Sequence, residues 1–246
     1  MTLTERLLSV ARGEERAVLF TVVEGDHDVG RKLLVLLDRG EVVGDDPLGL
    51  APLAAELRRS TLLEHHGLKV FAEVYGPPPR LVVVGAVDTA QALCAAAKAL
   101  GWHTICVDAR GRFATPERMP SADEIVVAWP EPAFAQIALD RETAVVVLTH
   151  DEKFDIPALA TALRTDAFYV GALGSRRAQA KRREKLLEAG LTEAQLDRLR
   201  GPAGLDVGAE SPAETAVSIL AEILAVRAGR LGGPLLESKA PIHVER

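Results

Sequence analysis

The chain has 246 residues, 48% of them hydrophobic and only 4% aromatic, and carries a formal net charge of −6 at pH 7. This length suggests one large domain or two small ones, with enough Ala, Val and Leu for a globular core. The acidic balance argues against a nucleic-acid-binding surface, which would need a basic patch, and no apolar run approaches the roughly 20 residues that span a membrane. The start of the chain has no long apolar core of a secretion signal, so we expect a cytoplasmic protein.

The first third, residues 1–76, predicts a small α+β domain. Hydrophobic patterning indicates helices at 2–12 and Pro52–Leu63, with strands at Arg16–Glu24, Lys32–Leu37, Glu41–Val43 and Leu68–Tyr75. The segment Gly76-Pro77-Pro78-Pro79 then stiffens the chain and removes backbone donors, as is typical of a domain boundary.

The next stretch predicts the opening half of a dinucleotide-binding fold. A Val-rich strand, Leu81–Val84, is closed by Gly85, and Asp88 or Thr89 is expected to cap a helix over Ala90–Leu100. A second strand, His103–Val107, ends at Asp108. Strand, glycine turn, helix, strand and terminal acid are the elements of a Rossmann-like unit.

The turn itself matches a dinucleotide site poorly. The glycine positions of a G-x-G-x-x-G turn are occupied by Gly85, Val87 and Ala90, and Asp88 adds negative charge where a pyrophosphate would lie. Asp108 nevertheless has about the spacing of a ribose-binding acid. An NAD(P)-dependent oxidoreductase therefore remains an alternative, although no residue is identifiable for hydride chemistry.

The remainder continues the alternation of strands and helices. Strands are predicted at Glu124–Ala128, Ala144–Leu148 and Phe168–Ala172, and helices around Ala133–Leu139, Ile156–Thr165, Ala178–Ala189 and Ala213–Ala228. The predicted fold class is α/β: a Rossmann-like, doubly wound parallel sheet over residues 80–230, a small N-terminal α+β domain, and a tail at 231–246.

Polar residues converge where the predicted strands end, which is where doubly wound sheets bind ligands. Gly174-Ser175-Arg176-Arg177 follows a strand and opens a helix. Cations there oppose the helix dipole, so a bound anion such as phosphate explains them better than a merely basic helix start. His150 with Asp151 and Asp155 suggests a ligand contact, or a metal or acid/base site; alternatively, Asp151 caps a turn and His150 packs at the sheet edge.

Two further features have structural explanations as well as functional ones. Cys94 and Cys106 are expected to be small buried hydrophobes rather than redox or sulfur-carrying groups, and two cysteines cannot form a Cys₄ zinc site. The glycine-rich loop Gly201–Glu210 could approach a ligand or simply connect elements, and Glu222 could pair with an arginine.

Several segments closely resemble the XdhC/CoxI family, the accessory proteins of xanthine dehydrogenase and aerobic carbon monoxide dehydrogenase. The resemblance covers residues 70–246 densely and the first third loosely. It rests on PPPRLVVVGA (77–86), VDARGRFATPERMPSADEIV (107–126), AVVVLTHDEKFDIPAL (144–159), FYVGALGSRRAQAKRREKL (168–186) and, most specifically, GPAGLDVGAESPAETAVSILAEILAVR (201–227).

The resemblance implies a protein that binds the molybdenum cofactor, of molybdopterin type, and delivers it to a molybdenum hydroxylase. It also implies a homodimer, partnership with one of the hydroxylase subunits and with a sulfur donor such as a cysteine desulfurase, and a carrier rather than a catalyst, with no protein-held metal. The positions that it implies for the cofactor pocket are Gly85, Asp108, Arg110, His150, Asp155, Gly174, Ser175 and Arg176.

The chain departs from the family pattern at two places. Members usually have a G-A-G-H type turn where this chain has Gly85-Ala86-Val87-Asp88, and they commonly carry a cysteine in a segment that corresponds to Gly44–Gly49, which has none here. These departures motivate a further alternative, a divergent scaffold paralogue that joins the hydroxylase complex without a bound cofactor.

Overall fold

The computed structural model describes residues 3–12 and 15–237. Contacts divide them into two compact units, one formed by the chain up to Pro78 together with the segment from Gly233, and the other by Pro79–Gly232. In the predicted tail, Leu235–Glu237 form a turn of 3₁₀ helix, and residues 238–246 lie outside the described part of the chain. No helix in residues 3–12 or 15–237 combines the length and the apolar character needed to cross a membrane.

The N-terminal unit is built on a five-stranded antiparallel sheet. Its strands are β1 (Ala17–Glu24), β2 (Lys32–Leu36), β3 (Glu41–Val43), β4 (Thr61–His65) and β5 (Leu68–Tyr75), arranged in the order β3-β2-β1-β5-β4. The helix α1 (Leu3–Ala11) contributes Val10 to a core that includes Leu19 and Leu34. This unit confirms the predicted small α+β architecture.

The helix predicted over Pro52–Leu63 is wrong. Only Ala51–Ala55 are helical, as a single stretch of 3₁₀ helix, and β4 begins at Thr61. β4 pairs with β5 through a two-residue turn in which His66 and Gly67 both have positive φ, of 51° and 78°. Such a turn suits the twist of a hairpin, so pairing with β5 prevails over the local helical preference of this segment.

The second unit contains a six-stranded parallel sheet. Its strands are β6 (Arg80–Val84), β7 (His103–Val107), β8 (Glu124–Val126), β9 (Thr143–Val147), β10 (Tyr169–Ala172) and β11 (Leu199–Arg200). Their spatial order is β8-β7-β6-β9-β10-β11, which is the third, second, first, fourth, fifth and sixth strand in sequence. This is the order of a Rossmann fold, and it confirms the predicted α/β fold class.

Helices cover both faces of this sheet because its central strands are apolar on both sides. The helices are α2 (Asp88–Ala99), α3 (Pro130–Ile137), α4 (Glu152–Ala162), α5 (Arg176–Glu188), α6 (Glu193–Leu196) and α7 (Pro212–Arg227). In β6, Val82 and Val84 pack in one core with residues of α3, α4 and α5, whereas Leu81 and Val83 pack in the other core with residues of α2 and α7.

The five helices that the sequence predicts in this unit all begin earlier than predicted, α2 and α4 among them. α2 starts at Asp88, and its N-cap is Val87, which makes no side-chain cap bond, rather than Asp88 or Thr89. α4 starts at Glu152, four residues before the predicted Ile156, because the Asp151 side chain accepts a hydrogen bond from the Lys153 amide at 3.0 Å. The earlier start places Asp155 within the first turns of α4.

Candidate functional site

The predicted site residues follow four strands that end at one edge of the parallel sheet. Gly85 follows β6, Asp108 follows β7, His150 lies shortly after β9, and Gly174 lies shortly after β10. The chain leaves β6 for β7 and β8 and then returns to β9 on the other side of β6. Rossmann folds bind their ligands at this carboxyl edge, near the point where the strand order reverses.

Gly85 allows the loops after β6 and β9 to approach each other closely. Its φ is +106°, and a Cβ atom there would lie 2.6 Å from the Thr149 Cγ2 atom and 3.3 Å from the Thr149 amide nitrogen. A side chain at position 85 would therefore clash with Thr149, which fills the space beside the turn. The glycine at this position has a packing role, whatever it also contacts.

Asp108 lies next to the turn and is fully engaged by the protein. Its carboxylate accepts hydrogen bonds from the Ala86 amide (2.9 Å), and from the amide, Nε (2.9 Å) and a terminal nitrogen (2.8 Å) of Arg110. Burial by itself would raise the pKa of Asp108, but the bonds from Arg110 and Ala86 outweigh it and hold the pKa below its ordinary value. The carboxylate is thus charged, and its oxygens are already used to fix the turn and the arginine.

A pocket of about 140 Å³ opens between the first turns of α4 and α5. It brings together three of the predicted residues, His150, Asp155 and Gly174, with Lys181 and Arg182 of α5. A water molecule occupies about 30 Å³ in the liquid, so the volume of the pocket equals that of several water molecules. A group as large as a phosphate therefore fits in it. We call it the anion pocket below.

A buried ion pair forms one wall of the anion pocket. Arg182 and Asp155 are joined at 2.6 Å, and their side chains are only 8% and 4% exposed. Asp155 also accepts a hydrogen bond from the Thr149 hydroxyl, and Arg182 donates to the Leu173 carbonyl at 3.2 Å. The pair therefore fixes the ends of β9 and β10 relative to α5, and its two charges compensate each other.

The remaining charges of the anion pocket leave a net positive site. Glu152 is paired with Lys185, so its charge is also compensated. Lys181 lines the pocket, and within the described part of the chain it has no carboxylate partner. The exposed ring of His150 is a further polar group at the rim. An anion is the ligand that this balance favours.

Ser175 and Arg176 lie at the N-terminus of α5, next to the pocket. Ser175 is the N-cap and accepts a hydrogen bond from the Ala178 amide at 3.2 Å, while Gly174 adopts a φ of +131° that leads the chain into the helix. Arg176 and Arg177 are exposed, and neither has a carboxylate partner among the described residues. The positive end of the helix dipole adds to the attraction for an anion.

The sequence did not single out Lys181 and Arg182 as site residues, because both belong to a run of charged residues that is typical of a solvated helix face. One sequence signal could have identified them. They follow Gly174 by about two helical turns, and side chains in a helix tilt toward its N-terminus, so these two side chains are directed back toward the end of the preceding strand. Among the described residues, no group of three or more His, Cys, Asp or Glu side chains could hold a metal ion.

The glycine-rich loop is a structural anchor for α7. A Cβ atom at Gly204 would lie 2.4 Å from the Ser218 hydroxyl oxygen, and the Gly204 amide donates to Glu222 at 2.8 Å. Glu222 also accepts a hydrogen bond from the Tyr169 hydroxyl at 2.6 Å, and it forms no ion pair with any arginine in the described part of the chain. These contacts tie the loop and α7 to β10, so the most family-like segment of the sequence has a clear role in packing.

Both cysteines are buried, as predicted. Burial raises the pKa of each thiol to about 12, so that neither is a thiolate near neutral pH. Cys94 packs within α2 and Cys106 within β7, in the same apolar core.

Comparison with known proteins assigns the family. The profile of the XdhC Rossmann domain matches residues 81–223. The chain is 32% identical over 158 residues to a probable subunit of xanthine dehydrogenase from Bacillus subtilis (strain 168), covering 64% of this chain and 46% of that protein. It is 32% identical over 160 residues to the molybdenum cofactor insertion chaperone PaoD of Escherichia coli (strain K12), covering 65% of this chain and 44% of that protein.

A further relative and a solved structure extend this picture. The uncharacterized protein YqeB of Escherichia coli (strain K12) is 33% identical over 174 residues, covering 71% of this chain and 32% of that protein. The matches thus span between 32% and 46% of the length of these curated relatives. A crystal structure of a xanthine dehydrogenase from Bacillus halodurans shares the fold, with a TM-score of 0.56 over 97% of this chain and 98% of that one, at 19% identity. Because the family profile extends from the first strand of the parallel sheet into its last helix, this chain belongs to the XdhC Rossmann domain family.

Proposed function

We propose that this chain binds a molybdopterin-type molybdenum cofactor and assists its insertion into a molybdenum hydroxylase. The names of two relatives, a xanthine dehydrogenase subunit and a cofactor insertion chaperone, support a role in maturation. The observation that carries the binding role is the anion pocket, in which Lys181 is left without a carboxylate partner among the described residues. A molybdopterin ends in a phosphate, the kind of group that this pocket suits.

The residues divide into those that would contact the cofactor and those that position them. Lys181, His150, Arg176 and the first turn of α5 would hold the terminal phosphate. Gly174 and Ser175 shape that turn, and Asp155 acts through Arg182. Gly85, Asp108 and Arg110 lie at the neighbouring strand ends, where the turn and the Arg110 guanidinium would face the rest of the ligand. The cofactor supplies its oxygen-transfer chemistry only in the receiving enzyme, so the protein acts as a carrier rather than as a catalyst.

The cysteines bear on how a sulfur atom could be supplied. The sequence holds only Cys94 and Cys106, and both thiols are buried with a pKa raised to about 12. A sulfur relay needs an accessible thiolate. We therefore propose that any sulfuration of the cofactor uses a separate protein, such as a cysteine desulfurase, with this chain holding the pterin.

The proposal is tested by titrating the full chain with molybdopterin cofactor, in parallel with NADH and NADPH. The Lys181→Ala and Arg176→Ala variants are each expected to weaken cofactor binding by at least about tenfold, since a charged hydrogen bond contributes about 1.5–3 kcal/mol. Arg59→Ala, which removes an exposed arginine of the N-terminal unit, is the matched control. Equal binding by all variants would contradict the placement of the phosphate, and absence of cofactor binding by the wild type would contradict the function.

The alternative of an NAD(P)-dependent oxidoreductase is disfavoured by Asp108. A ribose-binding acid must offer free oxygen atoms to the sugar hydroxyls, but this carboxylate accepts four hydrogen bonds from its own chain. NADH and NADPH are accordingly expected not to bind in the titration above. The scaffold alternative predicts instead that a hydroxylase subunit is captured while none of the three small molecules binds.

A further inference from the structure

An apolar pocket of about 320 Å³ opens where the glycine-rich loop meets the first turns of α7. Four apolar side chains line it: those of Val207 and Ala209 in the loop, and those of Ala213 and Val217 in the helix. Val207 and Val217 are 60% and 61% exposed. A pocket of this volume accepts a bulky side chain, and covering its apolar walls would be favourable.

The apolar surface continues from the pocket along α7. Leu224 follows Val217 by about two helical turns, so both lie on the same side of the helix, and Leu224 is 41% exposed. Glu222 is turned inward, since its carboxylate accepts hydrogen bonds from groups of its own unit. A helix at the surface of a globular unit ordinarily presents charged side chains to solvent. The valine and leucine that α7 presents instead are typical of an interaction face.

Three acidic residues flank or line the pocket. Asp206 and Glu210 come directly before and after the loop segment that lines it, and Glu214 lines it itself. The amides of Ser211 and Glu210 donate to the Glu214 carboxylate at 2.8 and 2.9 Å, and these bonds hold its pKa below the ordinary value. No basic side chain that the structure describes forms an ion pair with any of the three carboxylates. The rim of the pocket is therefore negatively charged.

The charge of the rim decides between the candidate occupants. A phosphate-bearing cofactor or an anionic membrane would be repelled by the three carboxylates. A second copy of the chain, docked through the same face in a two-fold dimer, would set these acids against their own like charges. A partner that presents lysine or arginine side chains beside an apolar residue is attracted by the rim and covers the pocket.

The spacing of the apolar contacts indicates the shape of the partner. Val217 and Leu224 are separated by about 10 Å along the axis of α7, at about 1.5 Å per residue. Two apolar residues at the same sequence spacing on a partner helix laid along α7 have the same separation. Residues on one side of an extended strand recur at about 6.6 Å and about 13 Å, which does not match.

We propose that this part of the surface binds a basic amphipathic helix of a partner protein. A bulky apolar side chain of that helix fills the pocket, a second one packs on Leu224, and its lysines or arginines pair with the acidic rim. We call the surface the apolar–acidic face, and it comprises Val207, Ala209, Ala213, Val217 and Leu224 with Asp206, Glu210 and Glu214.

This interaction goes beyond the binding of a cofactor, and no residue of the anion pocket belongs to the face. The loop that carries Val207 follows β11, so it lies at the same carboxyl edge of the sheet as the anion pocket. The partner would thus dock at the edge where the proposed carrier holds its ligand.

Synthetic peptides provide the probe. A fluorescein-labelled helical peptide of about 15 residues, with two leucines about two helical turns apart and lysines beside them, is titrated with the full chain and followed by fluorescence anisotropy. It should bind saturably, and more weakly as NaCl rises from about 50 to about 500 mM. Val217→Asp should bind it at least about tenfold more weakly, because a carboxylate replaces an apolar contact. Leu187→Asp, the same change at an exposed leucine of α5, should bind it as the wild type does.

A second pair of variants separates the acidic rim from the overall charge of the chain, which is −6. Asp206→Asn/Glu210→Gln should weaken binding and reduce its dependence on salt. Glu184→Gln/Glu188→Gln removes the same charge from exposed positions of α5 and should change neither. Glu214 is left in place because it belongs to the capping box of α7. Equal effects of the two double variants would show non-specific attraction and would overturn the proposal.

Other outcomes would overturn it as well: no binding of the peptide, equal binding of a peptide with glutamates in place of the lysines, or unchanged binding by Val217→Asp. A wild type that sediments as a dimer, with Val217→Asp as a monomer, would show that a second copy covers the face, contrary to the proposal. Cofactor binding should be unchanged in Val217→Asp, and its loss there would assign the face to the cofactor site instead. Because the peptide and the cofactor are titrated separately, failure of one leaves the other conclusion standing.

Discussion

Substitution of Arg182 by alanine is expected to destabilise the parallel-sheet unit strongly. The Arg182 guanidinium lies 2.6 Å from Asp155, and both side chains are nearly buried. Its removal leaves the Asp155 carboxylate out of water, with the Thr149 hydroxyl as the one side-chain donor that remains to it among the described residues. Breaking a buried ion pair by removing one partner costs about 3–5 kcal/mol, and we expect the free energy of unfolding to fall by about this amount.

Two further variants isolate the buried charge as the cause. Arg183→Ala removes the next arginine of α5, whose exposed side chain pairs with Glu193, and should cost less than about 1 kcal/mol. The double variant Asp155→Leu/Arg182→Met removes both buried charges and replaces them with apolar groups of similar size. It should be clearly more stable than Arg182→Ala, because no uncompensated charge remains.

Urea unfolding followed by tryptophan fluorescence measures these differences in the relevant unit, since Trp102 and Trp129 both lie within Pro79–Gly232. The midpoint and the slope are compared for each variant, because a changed slope would signal a loss of two-state behaviour. A loss below about 1 kcal/mol for Arg182→Ala, or a double variant as unstable as the single one, would refute the reasoning.

Three other predictions concern the same unit. Gly85→Ala should lower the free energy of unfolding in urea by about 1–3 kcal/mol more than Gly101→Ala does. Both glycines have positive φ, but of the two only Gly85 would bring an added Cβ into a clash, at 2.6 Å from a side-chain methyl group. A hydrogen bond from a lysine of α2 lowers the pKa of Asp123 to about 2. The difference in free energy of unfolding between the wild type and Asp123→Asn should therefore be constant above about pH 4 and shrink as the pH falls toward about 2. A difference that grows on acidification would contradict this assignment. Cys94 and Cys106 should react with iodoacetamide far more slowly in the native protein than in urea, as measured by mass spectrometry, and rapid native labelling would show that the thiols are accessible.

The Rossmann-like fold could be predicted because its signals are local. Short Val-rich runs such as Leu81–Val84 are buried on both faces in a parallel sheet, so they appear in the sequence as continuous apolar segments that end at a glycine or an acid. The helix predicted over Pro52–Leu63 is wrong because the structure of this segment depends on contacts that are not local. Whether Thr61–His65 forms a helix or a strand depends on its pairing with β5, and a hairpin partner is a tertiary feature that outweighs a weak propensity.

For the candidate site, the sequence alone determined which segments meet, because the carboxyl ends of parallel strands share one edge of the sheet. It thereby indicated the turns that carry Gly85, Asp108, His150 and Gly174. Only the tertiary structure decided which of their groups are already in use: Asp108 is bound by Arg110 and Ala86, while Lys181 keeps its charge uncompensated among the described residues. The physical reason is that hydrogen bonds and ion pairs depend on ångström-scale distances between residues far apart in the chain, which residue patterns do not encode.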